Sequence, residues 1–365
     1  MVATSGSFHH EPQPTNCSLS TFHYPLSTFH FPLFTFHFSL STIHPHLGTD
    51  LDRAARLLQQ GALVAIPTET VYGLAANAFA PRAVQKIFEA KNRPQFNPLI
   101  VHTHDLAAVA PALGPLPPLV ASLAAQFWPG PLTLLLPRTA RIPDLVTAGH
   151  PRVAIRIPAH PLTLALLRRL DFPLAAPSAN PFGYISPTTA AHVAAQLGDR
   201  VSYILDGGPA QVGIESTILG LEPDGRLRLY RRGGLALEAI EALAGPILPP
   251  ATGGDSPQAS GMLKSHYAPD TPLILGDLVA LAARYPQARL GVLAFQRNPF
   301  PNPPAHLELL SPRGDLGEAA RHLFAALRRL DQAGVDYILA EPVPAHGLGP
   351  AINDRLQKAE AERKG

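Results

Sequence analysis

Cysteine is almost absent from this chain of 365 residues. Cys17 stands alone, which excludes a disulfide framework and a thiolate metal cluster. Charge is scarce as well. Charged side chains make up 15% of the sequence and the net charge is +2 with histidine neutral. That is too little to argue for nucleic-acid binding by bulk electrostatics, so only a local basic patch would serve. No apolar run reaches the roughly 18–20 uninterrupted residues that a bilayer span requires. The chain therefore reads as soluble, and its single cysteine fits a reducing cytoplasm. The common nucleotide signatures are missing too: there is no G-x-x-x-x-G-K-[ST] loop and no G-x-G-x-x-G after a strand. No H-E-x-x-H motif or Cys/His cluster offers a zinc site, and no metal ligand is expected from the protein.

What is present is core-forming material, 46% hydrophobic, in a length that suggests two domains. The first 48 residues stand apart. From Ser20 to Leu47 the chain repeats every seven residues, with histidines at His23, His30, His37 and His44. Histidine-rich tracts bind metals, but this spacing does not make the histidines near neighbours, and the interleaved prolines forbid a continuous helix. The segment also lacks the basic start and unbroken apolar centre of a secretory signal. Residues 1–48 are expected to be a disordered low-complexity extension.

From residue 49 the pattern turns globular. Asp50 or Thr49 caps a helix over 51–60, stopped at Gly61, and a buried strand over 62–67 follows. Helices over 83–91, 119–127, 162–170 and 189–197 alternate with strands over 98–102, 132–136, 153–157, 174–176 and 201–205. A hairpin of 216–221 and 227–230, turned by Pro223, Asp224 and Gly225, closes the series. This order predicts an α/β layer fold for 49–244. Residues 245–269 are rich in Pro, Gly, Ser and Ala without period, a linker composition. Over 270–365, strands at 273–275, 290–295 and 335–340 and helices at 316–330 and 351–362 predict a small three-layer α/β domain.

Several polar clusters sit at the ends of apolar strands, where open α/β sheets place their ligand crevices. They are Pro67-Thr68-Glu69-Thr70-Val71-Tyr72-Gly73-Leu74, Lys91-Asn92-Arg93-Pro94 with Asn97-Pro98-Leu99, Arg152 with Arg156, Pro177-Ser178-Ala179-Asn180, and Gly213-Ile214-Glu215-Ser216-Thr217. Each has a plain structural explanation. Hydroxyls after a strand satisfy turn backbone, Lys91 and Arg93 suit a helix C-terminus, and an Arg156 between two isoleucines reads as an outward, solvated side chain. Arg152 and Arg156, four apart on a strand, share a face.

Taken together and in this order, the clusters resemble the YrdC-like domain. The run Gly347-Leu348-Gly349-Pro350-Ala351-Ile352-Asn353-Asp354-Arg355-Leu356 resembles the extra domain of the longer threonylcarbamoyl-AMP synthases. The segment Gly261-Met262-Leu263-Lys264-Ser265-His266-Tyr267-Ala268-Pro269 is similar to that family's linker. The resemblance covers the chain from about residue 50 to its end. It implies a twisted open-sheet YrdC-like domain over 49–244, the linker, and a small Rossmann-like three-layer α/β domain over 270–365.

Such enzymes combine L-threonine, bicarbonate or CO2 and ATP into threonylcarbamoyl-AMP and pyrophosphate. The product goes to a separate tRNA threonylcarbamoyl transferase, so this chain need not bind tRNA. By the same resemblance Lys91, Arg93, Asn97, Asn180, Ser186 and Arg231 would meet ATP, with His266 and Tyr267 of the linker closing over it, and Lys264 beside them. Thr70, His102, Arg156, Ser178 and Ser216 would surround threonine, Arg156 taking its carboxylate. His102 would orient substrate, shuttle a proton, or serve as a structural imidazole. Mg2+ is expected with ATP, held largely by the phosphates. A proline commonly follows the arginine after the hairpin in this family, whereas Arg232 follows Arg231 here, which leaves open which arginine faces the nucleotide. Two other readings are an RNA-binding YrdC-like module without synthase activity and a carbamoyl-adenylate enzyme of hydrogenase maturation. The second would bring cysteine-rich zinc motifs.

Overall fold

Short-range chemistry starts and stops the elements as the sequence suggests. In the computed structural model, which describes residues 46–250, 257–263 and 266–360, Asp50 accepts a hydrogen bond from Arg53 N at 2.9 Å and caps the helix Leu51–Gln59. Pro81 opens the helix Pro81–Lys91 in its first turn, where a missing N–H leaves nothing unpaired. Asn92 ends it in the left-handed region at φ 51°. Residues 1–45, with nearly all of the seven-residue repeat, and Lys264 lie outside the described residues, whereas Leu47 and Gly48, expected within the extension, pair with Ile204 and Leu205 as a strand.

Ten strands make the first sheet: β1 (Leu47–Gly48), β2 (Val64–Ile66), β3 (Gly73–Asn77), β4 (Ile100–His102), β5 (Leu132–Pro137), β6 (Arg152–Arg156), β7 (Leu174–Ala175), β8 (Tyr203–Leu205), β9 (Thr217–Leu221) and β10 (Leu227–Arg231). Their order is β1-β8-β2-β3-β7-β4-β6-β5-β9-β10. The sheet is mixed: β4 runs parallel to β6 and β5 parallel to β9, while β5–β6, β4–β7 and β9–β10 are antiparallel.

The two-residue period of a strand divides the side chains between two environments. Val101, Leu134, Ile155 and Leu219 join the large core with Val84, Ile87 and Leu123 of the helices Pro81–Lys91 and Pro118–Phe127. Their neighbours Ile100, Leu135, Ala154 and Ile218 form a separate cluster, closed by Ala259 and Met262 from the linker. In the middle of the sheet one face therefore has helices and the other has linker. His102 pairs in register with Arg156, and both belong to the linker face.

The second sheet is all parallel, in the order β11-β14-β12-β13, from β11 (Leu273–Leu275), β12 (Leu290–Ala294), β13 (His306–Leu309) and β14 (Tyr337–Ala340). The helices Leu316–Asp331 and Gly349–Glu360 bring this domain against the first. Phe324 and Ala320 of the former pack in one apolar cluster with Val71, Ile185 and Ile214. Arg328 donates to the carbonyls of Ile185 and Ser186, and Arg321 to that of Gln211.

The fold agrees with the expected class, with local differences. β3 was hidden because Gly-Leu-Ala-Ala-Asn lacks the β-branched and aromatic residues that mark a strand. β13 alternates charge and leucine, and its side chains are exposed or half-buried, so it carries no core signature. The short helices Leu237–Ala244 and Leu278–Arg284 were also not anticipated.

Gly213 records how closely the two domains meet. Its φ is +82°, and a Cβ there would lie 2.3 Å from the Arg321 Cα. Gly213→Ala should lower the free energy of unfolding by at least about 2 kcal/mol, from backbone strain and backbone overlap together. Urea denaturation of the full chain measures this, and an unchanged midpoint would contradict the close seating.

Candidate functional site

Strand ends deliver the polar side chains to the linker face. Thr68 and Thr70 follow β2, Ser178 follows β7, Arg156 ends β6, and Glu215 and Ser216 precede β9. Thr70, His102, Arg156, Ser178, Glu215 and Arg231 line one cavity, with Ser260, His266 and Tyr267 of the linker on its other side.

Arg156 is buried, not solvated. Nη1 donates to Thr70 Oγ1 at 2.8 Å and Nε to the Gly130 carbonyl at 3.2 Å. Nη2 lies 2.6 Å from Glu69 Oε1, yet neither atom is aligned for a hydrogen bond. The charge is thus compensated by Glu69. Ser216 Oγ bonds with Thr133 at 2.7 Å and accepts from Arg231 at 3.1 Å. Burial, and then the Arg156 charge, push the His102 imidazole down to about 3, so it is neutral at ordinary pH. Its Nδ1 is buried without a partner.

The cations of the second set are held by backbone oxygens. Lys91, at the end of its helix, donates to the carbonyls of Ser178, at 2.6 Å, and Asn180. Arg93 reaches the Asn97 carbonyl at 3.2 Å, the Pro98 carbonyl at 3.0 Å and Ser260 Oγ at 3.3 Å. Arg231 donates to the Ser216 and Ser260 carbonyls. Burial, with Arg93 as a lesser cause, holds the Lys91 ammonium well below the usual lysine range. Burial likewise brings Arg93 down to about 9. Carbonyl dipoles hold these groups in place, but they do not neutralise them. Both side-chain atoms of Asn97, Asn180 Oδ1 and His266 Nδ1 are buried without partners nearby, an arrangement that costs about 1–3 kcal/mol per group unless a ligand meets it.

The tertiary structure thus brings both predicted sets into one network. Thr70, His102, Arg156, Ser178, Arg231, His266 and Tyr267 line the cavity directly. Ser216 joins through Arg231, Lys91 through the Ser178 carbonyl, and Asn180 through Lys91. Arg93 and Asn97 join through Ser260, and Ser186 through Glu215, whose Oε1 accepts its hydroxyl at 2.6 Å. A register shift between Leu229 and Arg231 pairs Arg231 with Ile218 of the linker face and so breaks the simple alternation of the strand. Arg231 faces the cavity, whereas Arg232 borders a separate groove beside Glu238 and Asp354. Sequence reasoning left Glu69 and Glu215 without roles although both stood inside its motifs. Arg355 likewise stood in the quoted C-terminal run without a role, and it donates to Glu215 Oε2 from 140 residues away. Among the described residues no group of three or more His, Cys, Asp or Glu side chains is arranged to hold a metal, and no helix is long and apolar enough to cross a membrane.

Residues 56–233 match the family model described as "Telomere recombination", and residues 235–361 match the model of the threonylcarbamoyl-AMP synthase C-terminal domain. The threonylcarbamoyl-AMP synthase of Bacillus subtilis is 44% identical over 322 residues, covering 85% of this chain and 93% of the relative. The chain belongs to the threonylcarbamoyl-AMP synthase family. The Pyrococcus abyssi synthase is 41% identical over 325 residues, with 85% and 94% covered. A crystal structure of P. abyssi Sua5 complexed with L-threonine superposes with a TM-score of 0.80 at 40% identity, covering 85% of this chain and 94% of that one.

For a synthase of this family the buried neutral histidines set an acid limit. Because the His102 value in the folded state lies below that of the unfolded chain, unfolding takes up a proton between about 6.5 and about 3. Its stabilising contribution is complete above that window and is lost as pH falls through it. His192, brought to about 4 mainly by burial, acts in the same direction. Thermal melts should therefore decline from neutral pH downward, and His102→Gln should make the decline shallower. Parallel curves for the two proteins would show that His102 is not desolvated.

Proposed function

We propose that this enzyme makes threonylcarbamoyl-AMP and pyrophosphate from L-threonine, bicarbonate or CO2 and ATP, for the threonylcarbamoyladenosine modification of tRNA. The observation that carries the reading is the composition of the cavity. It has basic groups held by backbone carbonyls on one side, a guanidinium with hydroxyls on the other, and, among the described residues, no activated nucleophile between them. A site of this kind positions and stabilises anions. It suits a reaction in which two substrates supply the reacting atoms themselves.

In the proposed sequence the threonine amine takes up CO2 and loses a proton, forming a carbamate; from bicarbonate, water leaves as well. A carbamate oxygen then attacks the α-phosphorus of ATP. The new O–P bond forms as the bond to the β-phosphate oxygen breaks, and pyrophosphate leaves with the electron pair. Arg156 would hold the threonine carboxylate, with Thr70, Ser178 and Ser216 meeting the amine and hydroxyl and the neutral His102 beside them. Lys91, Arg93 and Arg231 would meet the triphosphate, whose charge would favour the protonated form of Lys91. Asn97, Asn180 and Ser186 would supply hydrogen bonds, and His266 and Tyr267 would cover the nucleotide. Mg2+ would arrive on ATP, held by the phosphates. Among the described residues the carboxylate lining the cavity is that of Glu215, and it already accepts from Ser186 and Arg355. Holding two anions in line is the costly part of such a reaction, and a preorganised site removes much of that barrier. The product would pass to a separate tRNA threonylcarbamoyl transferase.

The test is pyrophosphate release by the full chain with ATP, Mg2+ and bicarbonate, with threonine, serine or valine added in turn. Release should require both threonine and bicarbonate. Serine, lacking one methyl, should be disfavoured by roughly 1–3 kcal/mol, and valine, lacking the hydroxyl, by much more. Arg156→Ala should weaken threonine recognition by about 2–5 kcal/mol. Release independent of threonine, or unchanged threonine affinity in that variant, would contradict the assignment.

A further inference from the structure

Arg355 is the largest fully buried side chain among the described residues, and it belongs to the second domain, in the helix Gly349–Glu360. Its Nε and Nη2 both donate to Glu215 Oε2 at 3.1 Å. Nη1 donates to the Arg232 carbonyl at 2.6 Å. The guanidinium also lies 5.2 Å from the centre of the Tyr267 ring, and Tyr267 lines the cavity. One turn on, Lys358 Nζ donates to the Gly261 carbonyl of the linker at 2.8 Å. A single helix face thus grips the catalytic domain and the linker together.

Docking alone does not require this. The helix Leu316–Asp331 already joins the domains through Phe324, Ala320 and Arg328. Glu215 is the anomaly. It is a buried carboxylate on the wall of a cavity whose other charged groups are cations, and its Oε1 accepts from Ser186 at 2.6 Å. An uncompensated negative charge at that place repels an incoming polyanion through a medium of low dielectric.

We propose that Arg355 is a positioning residue for the nucleotide: it neutralises Glu215 and fixes the carboxylate to which the Ser186 hydroxyl is anchored, making the second domain part of the ATP site. This rests on the reading that Ser186 and Arg231 meet the triphosphate. The role differs from that of a tether, because it predicts a loss confined to one substrate and reversible by removing the opposite charge.

The experiment is steady-state pyrophosphate release by the full chain, varying ATP at saturating threonine and then threonine at saturating ATP. Arg355→Met should raise KM for ATP at least about tenfold and leave KM for threonine within about twofold. Arg355→Lys, which keeps the charge but not the fork, should fall between Arg355→Met and wild type. The double variant Glu215→Gln/Arg355→Met removes both charges and keeps an amide oxygen for Ser186. A buried ion pair replaced as a unit is generally tolerated, so this protein should fold, with KM for ATP within about threefold of wild type. If Arg355→Met does not fold, Arg355→Lys decides, with KM for ATP raised above that of wild type and of the double variant and KM for threonine unchanged. Equal shifts in both KM values, or a double variant as impaired for ATP as Arg355→Met, would overturn the proposal while leaving the synthase reading intact. Wild-type protein without threonine-dependent release would overturn both.

Discussion

Gathering several cations beside one cavity is unfavourable unless their solvation is replaced, and the rest of the architecture follows from how this is done. Lys91 rests on two backbone carbonyls, Arg93 on two more with a serine hydroxyl, and Arg231 on the carbonyls of Ser216 and Ser260. Those carbonyls come from strand ends, from the turn after the Pro81–Lys91 helix, and from the linker. Carbonyl dipoles orient a cation but leave its net charge in place, so the site remains prepared for an anion. Arg156 differs: Glu69 compensates it at 2.6 Å, which suits a group meeting one carboxylate rather than a triphosphate.

Two further constraints depend on this one. Among the described residues, the apolar cluster on the sheet face that carries His102 and Arg156 is closed by Ala259 and Met262 of the linker rather than by a helix. A cover made of linker makes the cavity a product of chain connectivity as well as of the catalytic sheet. The second domain in turn holds the linker, through Lys358 on Gly261, and the catalytic loops, through Arg328 on Ile185 and Ser186. Tyr267 keeps φ at 65° within this contact. That conformation is uncommon for a bulky residue and persists only where surrounding contacts determine it.

Much of the site was legible because its residues cluster in sequence. Thr68 to Thr70, Lys91 to Asn97, Ser178 to Asn180 and Glu215 to Thr217 each stand at the end of an element that its apolar pattern marks. Strand alternation also placed Arg152 and Arg156 on one face, and the structure sends Arg152 to Tyr230 and Gln258 there. The simple reading of Arg156 as solvated failed because alternation separates faces without saying which face is covered. β3 escaped notice because small residues in a close-packed sheet centre have no β-branched signature.

The sequence by itself determined the α/β class, the order of the motifs, the helix caps and the residue types that an anion-binding site needs. These are matters of local period, turn chemistry and side-chain identity. Only the tertiary structure decided that the two proposed substrate sets share one network, that Arg231 rather than Arg232 faces the cavity, and that Glu215 has its partner in Arg355. Those outcomes depend on contacts between segments more than a hundred residues apart, on which covering element buries a face, and on desolvation that exists only once the chain has packed.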